Sequence, residues 1–154
     1  MKGKGFTLFL NNNTGNIESI RLDNGNVFPL KQSFMFYDSN HDSPYEFCSE
    51  GNVRTINRGD VRIESIYSKD NVHELKQHWN DWISQTIRVY ENKEFVELDW
   101  VVGPIPINDN IGKEIITRFE TDFKTNGLFY TDANGRQNVI LKQKKLSLIL
   151  MKLT

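Results

Sequence analysis

Short apolar runs closed by Asn, Asp and Gly dominate the chain: "GFTLFL" stops at "NNNTGN", "IESIRL" stops at "DNGN", and "VFPL" leads on to "SFMFYDSN". Runs of this length bounded by turn-forming residues predict strands. Ile17–Leu22 and Val27–Leu30 flank Asp23-Asn24-Gly25-Asn26, and Asn-Gly tolerates the positive φ of a tight hairpin turn. Pro29, lacking an N–H, points to an edge position or a strand end. From about Asp38 to Arg58 the sequence is polar and irregular and reads as a loop. Strand alternation resumes at "DVRIESIY", with Val61, Ile63 and Ser65 on one side. Val96, Leu98, Trp100 and Val102 alternate with Glu97, Asp99 and Val101, the signature of a half-buried strand.

One stretch has two readings. Between Val72 and Tyr90 the positions Val72, Leu75, Trp79, Trp82, Ile83, Thr86, Ile87 and Tyr90 fall at helical spacing. Pairing of Ile83–Tyr90 with Val96–Val102 through Glu91-Asn92-Lys93-Glu94 puts two apolar faces on one core, and this favours strands. After Gly103, "PIPI" lacks two of its four backbone donors and is expected to cross between ladders as extended chain. "KEIITRFET" and "GLFYT" read as two more strands before the turn "DANG", and the tail "NVILKQKKLSLILMKLT" has no clear period. The fold class that results is all-β, a β-sandwich.

The 154 residues suffice for one domain burying roughly 70% of its unfolded surface. A formal net charge of −1 with interspersed signs supplies no global field for nucleic acid or anionic membrane, so neither is an expected partner. The single cysteine, Cys48, excludes an internal disulfide. The opening "MKGKGFTLFLNNN" is too short in its apolar part for a signal peptide, and no run has transmembrane length. Asn12-Asn13-Thr14 forms a glycosylation sequon at Asn12, relevant if the chain enters the secretory route.

Few residues of the chain offer catalytic chemistry. His73 and His78 are five apart, which turns the second ring about 140° away on a helix and onto the opposite face of a strand; neither geometry chelates a metal locally. His41-Asp42 reads as a surface loop, Arg58-Gly59-Asp60 as a turn before a strand, and Cys48 has no neighbour to activate it. Asp132-Ala133-Asn134-Gly135 and Asn108-Asp109-Asn110 imitate pieces of a calcium loop without its full ligand spacing, so turn chemistry explains them. Glu97 and Asp99 read as the wet face of a strand.

The motifs "W…Q…R.Y", "VELDWVVGPIPI", "GKEIITRF.T" and "FYTDANGR", in that order across Val72–Gln137, resemble the C-terminal half of class II α-mannosidases, glycoside hydrolase family 38, nearest the lysosomal type. "GFTLFLNNNTGNIESI" and "LKQSFMFYDSN" are similar to strands further upstream in that family, so the resemblance covers about Phe6 to Gln137. "SPYEF" (Ser43–Phe47) stands in place of a longer family segment; there Tyr45 takes the position of a tyrosine that reaches into the sugar pocket, although Pro44 and a lost glycine depart from the pattern. The resemblance implies that residues 1–137 are part of a galactose-mutarotase-like β-sandwich, here incomplete. Residues 138–154 form a divergent tail, read as truncated or frame-shifted.

By resemblance the chain is a non-catalytic portion of a carbohydrate-processing enzyme. Its family hydrolyses terminal α-mannose with a zinc ion and an aspartate nucleophile that lie in a separate N-terminal domain. The chain itself is therefore expected to hold no catalytic residue and no cofactor. Its implied partners are that domain and mannose-containing glycans, in a lysosomal or secreted setting. Two other readings stand beside this one: a stand-alone carbohydrate-binding module with Tyr45, Trp79 and Trp82 as stacking faces, and a non-functional gene fragment.

Overall fold

The computed structural model describes residues 1–39, 50–56, 61–132, 135–142 and 149–152. In chain order the strands are β1 (Lys2–Gly3), β2 (Phe6–Leu10), β3 (Ile17–Leu22), β4 (Val27–Ser39), β5 (Glu50–Thr55), β6 (Arg62–Lys69) and β7 (Val72–Asn80). There follow β8 (Ile83–Tyr90), β9 (Val96–Val102), β10 (Gly112–Thr121), β11 (Leu128–Asp132), β12 (Asn138–Lys142) and β13 (Ile149–Lys152). No helix occurs among the described residues. One sheet runs β1-β2-β3-β4-β10-β13 with β5 added to β4, a second runs β6-β7-β8-β9, and β11–β12 stands apart as a two-stranded hairpin. Every ladder is antiparallel.

The expected hairpin around Asn24-Gly25 forms, with Gly25 at φ 90° and Ile20 opposite Phe28. Val72–Tyr90 resolves into strands: β7 and β8 pair along their length, and β8 pairs β9 from Ile83↔Val102 to Val89↔Val96. Four expectations change. Pro29 lies inside the long β4, not at an edge. It is the last β4 position paired with β3, and pairing with β10 begins one residue later at Leu30, so its missing N–H falls where one ladder gives way to the other. The stretch read as a loop from Asp38 to Arg58 contains β5, which pairs β4 through Met35↔Thr55 and Phe36↔Arg54. Glu64 is an extra residue in the β6–β7 ladder, a bulge that turns Ser65 out to solvent instead of leaving it beside Val61 and Ile63. The tail also contributes strands: β12 closes on β11, and β13 adds to β10.

The two sheets meet face to face over two apolar clusters. Phe6 and Leu8 of β2 and Ile17 of β3 pack on Leu75, Ile87 and Val89 of β7 and β8. Phe34 of β4 packs with Val61, Trp79 and Ile83, flanked by Trp82, Trp100, Val102 and Ile115. Phe34 sits edge-on to both Trp79, at 4.9 Å between centroids, and Trp100, at 5.8 Å. Burial of each such side chain contributes about 1.5–3 kcal/mol.

Between the clusters the sandwich carries polar groups. Gln32 of β4 and Gln85 of β8 face each other across the sheets and exchange two hydrogen bonds, Gln32 Nε2 to Gln85 Oε1 at 2.7 Å and Gln85 Nε2 to Gln32 Oε1 at 2.9 Å. Gln32 also donates to Thr117 Oγ1 of β10 at 3.2 Å, and Gln85 Oε1 accepts from the Trp100 indole of β9. Gln77 of β7, with its amide turned to suit both neighbours, donates to the Gly15 carbonyl at 3.2 Å and accepts from the Trp79 indole at 2.9 Å. These glutamines and Thr117 are buried. A buried amide that loses its partner carries a full desolvation penalty. Gln85→Ala should therefore lower unfolding free energy by about 3 kcal/mol, whereas Gln32→Leu combined with Gln85→Leu should be far milder than the sum of the single changes. Denaturant titration of the four-member mutant cycle measures this, and additive single effects would refute the pairing.

Candidate functional site

The stretch Trp100–Thr121, which spans the "VVGPIPI" and "GKEIITRF.T" motifs, runs out of the second sheet along β9 and into the first along β10. Gly103 turns the chain at the end of β9 with φ 134°, a conformation closed to side-chain-bearing residues, and its N–H donates to the Trp82 carbonyl in the β7–β8 turn at 2.7 Å. That turn is itself fixed by Asn80, whose Oδ1 accepts from Trp82 N at 2.9 Å and Ile83 N at 2.7 Å. The prolines follow without entering a ladder, as expected of a crossing segment.

Lys113, at the start of β10, reaches back to close this crossing. Its ammonium donates to the Pro106 carbonyl at 2.8 Å, to both oxygens of Asp109 at 2.8 and 2.9 Å, and to the Ile111 carbonyl at 3.2 Å. Only 8% of the Lys113 side chain is exposed. The Asn108-Asp109-Asn110 turn that imitates a calcium loop thus has its carboxylate occupied by a lysine. Gly112, one residue earlier, lies so close to β4 that a Cβ there would stand 2.5 Å from the Ser39 carbonyl oxygen. The Lys113 ammonium, followed by the Ile111 N–H, holds the Asp109 carboxyl below its ordinary range. β10 then places Ile116 in the core and Thr117 against Gln32. Trp100 and Thr117, from opposite ends of one crossing, therefore meet the same glutamine pair.

The outer face of the second sheet is charged. Arg88 donates to Glu74 at 2.6 Å, Glu97 at 2.8 Å and Asp99 at 3.4 Å, and Glu97 and then Glu74 hold its guanidinium well above its ordinary value. Glu97 and Asp99 are thus tied to an arginine on the wet face of β9, as their alternation predicted. Lys76, then His78, holds the Glu64 carboxyl below its usual range. His73 contacts Ser68 Oγ at 2.8 Å and Glu91 at 3.1 Å, while His78 pairs with Glu64. The two histidines go to separate partners on opposite faces of β7, as the odd spacing requires. Among the described residues no three His, Cys, Asp or Glu side chains assemble around a common point.

Of the other candidates, Asn12 sits exposed in the β2–β3 turn. Tyr45, His41-Asp42, Cys48 and Arg58-Gly59-Asp60 lie outside the described residues. In the "DANG" turn, Asp132 Oδ2 accepts from Gly135 N at 2.7 Å, with Ala133 and Asn134 outside the described residues. Trp79 is a core residue and offers no face for sugar stacking; Trp82 is half-buried against the same cluster. Gln32, Gln85 and Lys113 were not singled out from the sequence. The available signal for Gln85 was a polar residue at an inward position of the Ile83, Ile87, Val89 alternation.

The antiparallel two-sheet sandwich, bridged by amides and crossed by a clamped Gly-Pro segment, defines an all-β domain. Glycosyl hydrolases family 38 C-terminal domain matches residues 4–146. The chain belongs to that family. It is similar to "Lysosomal alpha-mannosidase" of Felis catus, 35% identical over 136 residues that make up 84% of this chain and 13% of that protein. The protein of the same description from Bos taurus is 33% identical over 141 residues, 86% of this chain and 14% of that protein. "Probable alpha-mannosidase" of Arabidopsis thaliana is 39% identical over 123 residues, 72% of this chain and 12% of that protein. The chain thus spans a small part, 12–14%, of the length of these relatives.

The clamp yields a pH expectation. A carboxyl whose folded pKa is depressed adds stability that is complete above its unfolded value, roughly 3.9, and that disappears as pH falls through the lower folded value. Asp109→Asn should therefore lower the melting temperature by a constant amount at neutral and mildly acidic pH, with the difference shrinking below about pH 4. Lys113→Met, which leaves the Pro106 and Ile111 carbonyls to water, should destabilise by about 1 kcal/mol at neutral pH. Melting curves across pH for the three proteins check both.

Proposed function

We propose that this chain is a non-catalytic, β-rich part of an α-mannosidase of the lysosomal type, where it braces a separate catalytic domain that removes terminal α-mannose from glycans. One observation supports this above the others: the family-specific stretch Trp100–Thr121 converges at both ends on the inter-sheet glutamine pair, and its middle is closed by Lys113. Those residues hold two sheets together. The zinc and the nucleophile of the reaction belong, on this reading, to the catalytic domain, and the setting is the lysosome or the secretory route. Tyr45 remains the candidate for contact with sugar.

The β11–β12 hairpin supports the same reading. Leu128, Tyr130 and Ile140 are exposed on one of its faces, and Phe129 and Leu141 on the other. A two-stranded hairpin is at best marginally stable alone in water. Apolar residues on both faces suit an element sandwiched within a larger body.

A chimera tests the proposal. Residues 4–146 in place of the matching segment of the Felis catus enzyme should give an active α-mannosidase. Trp100→Ala within the insert should then reduce the yield of folded enzyme several-fold without changing KM. The isolated chain should not cleave an aryl α-mannoside with or without added zinc. Zinc-dependent turnover by the isolated chain, or a Trp100→Ala chimera of normal yield and altered KM, would overturn the bracing role.

A further inference from the structure

Asn12-Asn13-Thr14 is the sole Asn-X-Ser/Thr triplet in the sequence, and it falls within three consecutive asparagines, Asn11 to Asn13. The structure separates their roles. Asn11 is committed to the turn: its Oδ1 accepts from Asn13 N at 2.9 Å and Thr14 N at 3.0 Å, and its Nδ2 donates to Glu18 at 2.9 Å. The turn is closed further by Asn11 N on the Asn16 carbonyl at 2.8 Å and by Gly15 N on the Asn11 carbonyl at 2.7 Å. The exposed Asn12, by contrast, makes no side-chain hydrogen bond within the described residues, so its amide is free for covalent change. Beside it lies an open hollow lined by Leu10, Ile63 and Ile66, the last 69% exposed. A sugar ring carries an apolar face, and this hollow gives the first residues of an attached glycan a surface to lie on.

We infer that Asn12 is the acceptor of an N-linked glycan, attached at the tip of the β2–β3 turn. The bond forms between the Asn12 amide nitrogen and the anomeric carbon of the first sugar of a lipid-linked oligosaccharide; the lipid diphosphate leaves and the amide gives up one proton. This rests on the reading that the chain enters the secretory route. Removing the glycan-bearing side chain disturbs no contact of the fold, because Asn11 and not Asn12 holds the turn.

Translation of the full chain, carrying an added cleavable signal sequence, in the presence of microsomes tests acceptor competence independently of where the chain resides in its own cell. Wild type and Asn13→Gln should each show a single upward shift in mass that an N-glycan-specific endoglycosidase removes. Asn12→Gln and Thr14→Ala should show none, and Thr14→Ser should retain it. An unshifted wild type, or a shift that survives Asn12→Gln, overturns the assignment. Separately, unmodified protein in its own cells together with a modified microsomal product would place the error in the secretory reading and leave Asn12 a competent acceptor.

Discussion

The sandwich depends on a polar contact at its centre. Gln32 and Gln85 exchange amide hydrogen bonds across the inter-sheet gap, and Thr117 and the Trp100 indole complete the set. Apolar contact alone lets two sheets slide, because burial is proportional to area and nearly indifferent to register. Paired amides are directional and leave unsatisfied donors when displaced. One strand step of slippage would strand four polar groups in the interior. The glutamines therefore fix which residues of the two sheets face each other, and the apolar clusters on either side supply most of the stabilisation.

That arrangement explains why the sequence was hard to read at its centre. Leu75, Trp79, Ile83 and Ile87 recur every four residues, which imitates one face of a helix. The inward positions of β7 are in fact Leu75, Gln77 and Trp79, and those of β8 are Ile83, Gln85, Ile87 and Val89. Counting only apolar residues deletes Gln77 and Gln85, and a period of two becomes a period of four. The cross-strand argument recovered the correct element because it relied on partners, and the pairing of β8 with β9 formed along its expected length. β5 was missed for the opposite reason. Its sequence, "EGNVRT", has no apolar alternation, and only its place beside the long β4 makes it a strand.

Legibility at the candidate site was of another kind. Motif resemblance marked Trp100–Thr121 as special, but local patterns could not say why. Gly112 looks like a turn residue until β4 is in place and the Ser39 carbonyl fills the space of a side chain. Lys113 looks like a solvated charge until the chain folds back and presents it with two carbonyls and a carboxylate. Both roles depend on contacts distant in sequence or on a loop that exists only once both sheets are docked. The Asn24-Gly25 turn, the proline crossing and the opposed histidines were legible because each follows from backbone geometry within a few residues.

The distribution of polarity over the surface bears on the proposed bracing role. The outer face of the second sheet is wet: Arg88 there gathers three carboxylates, and Lys76 and His78 share Glu64. Such exposed pairs add little stability, and their effect is to keep a broad sheet face soluble. The β11–β12 hairpin has the opposite character, with large apolar side chains exposed on both faces. A module built into a larger enzyme needs an apolar element with which to join the rest, and it needs its own two sheets held in one register so that the junction stays where the catalytic domain requires it. On the proposed reading, the inter-sheet amides meet the second need and the hairpin suits the first.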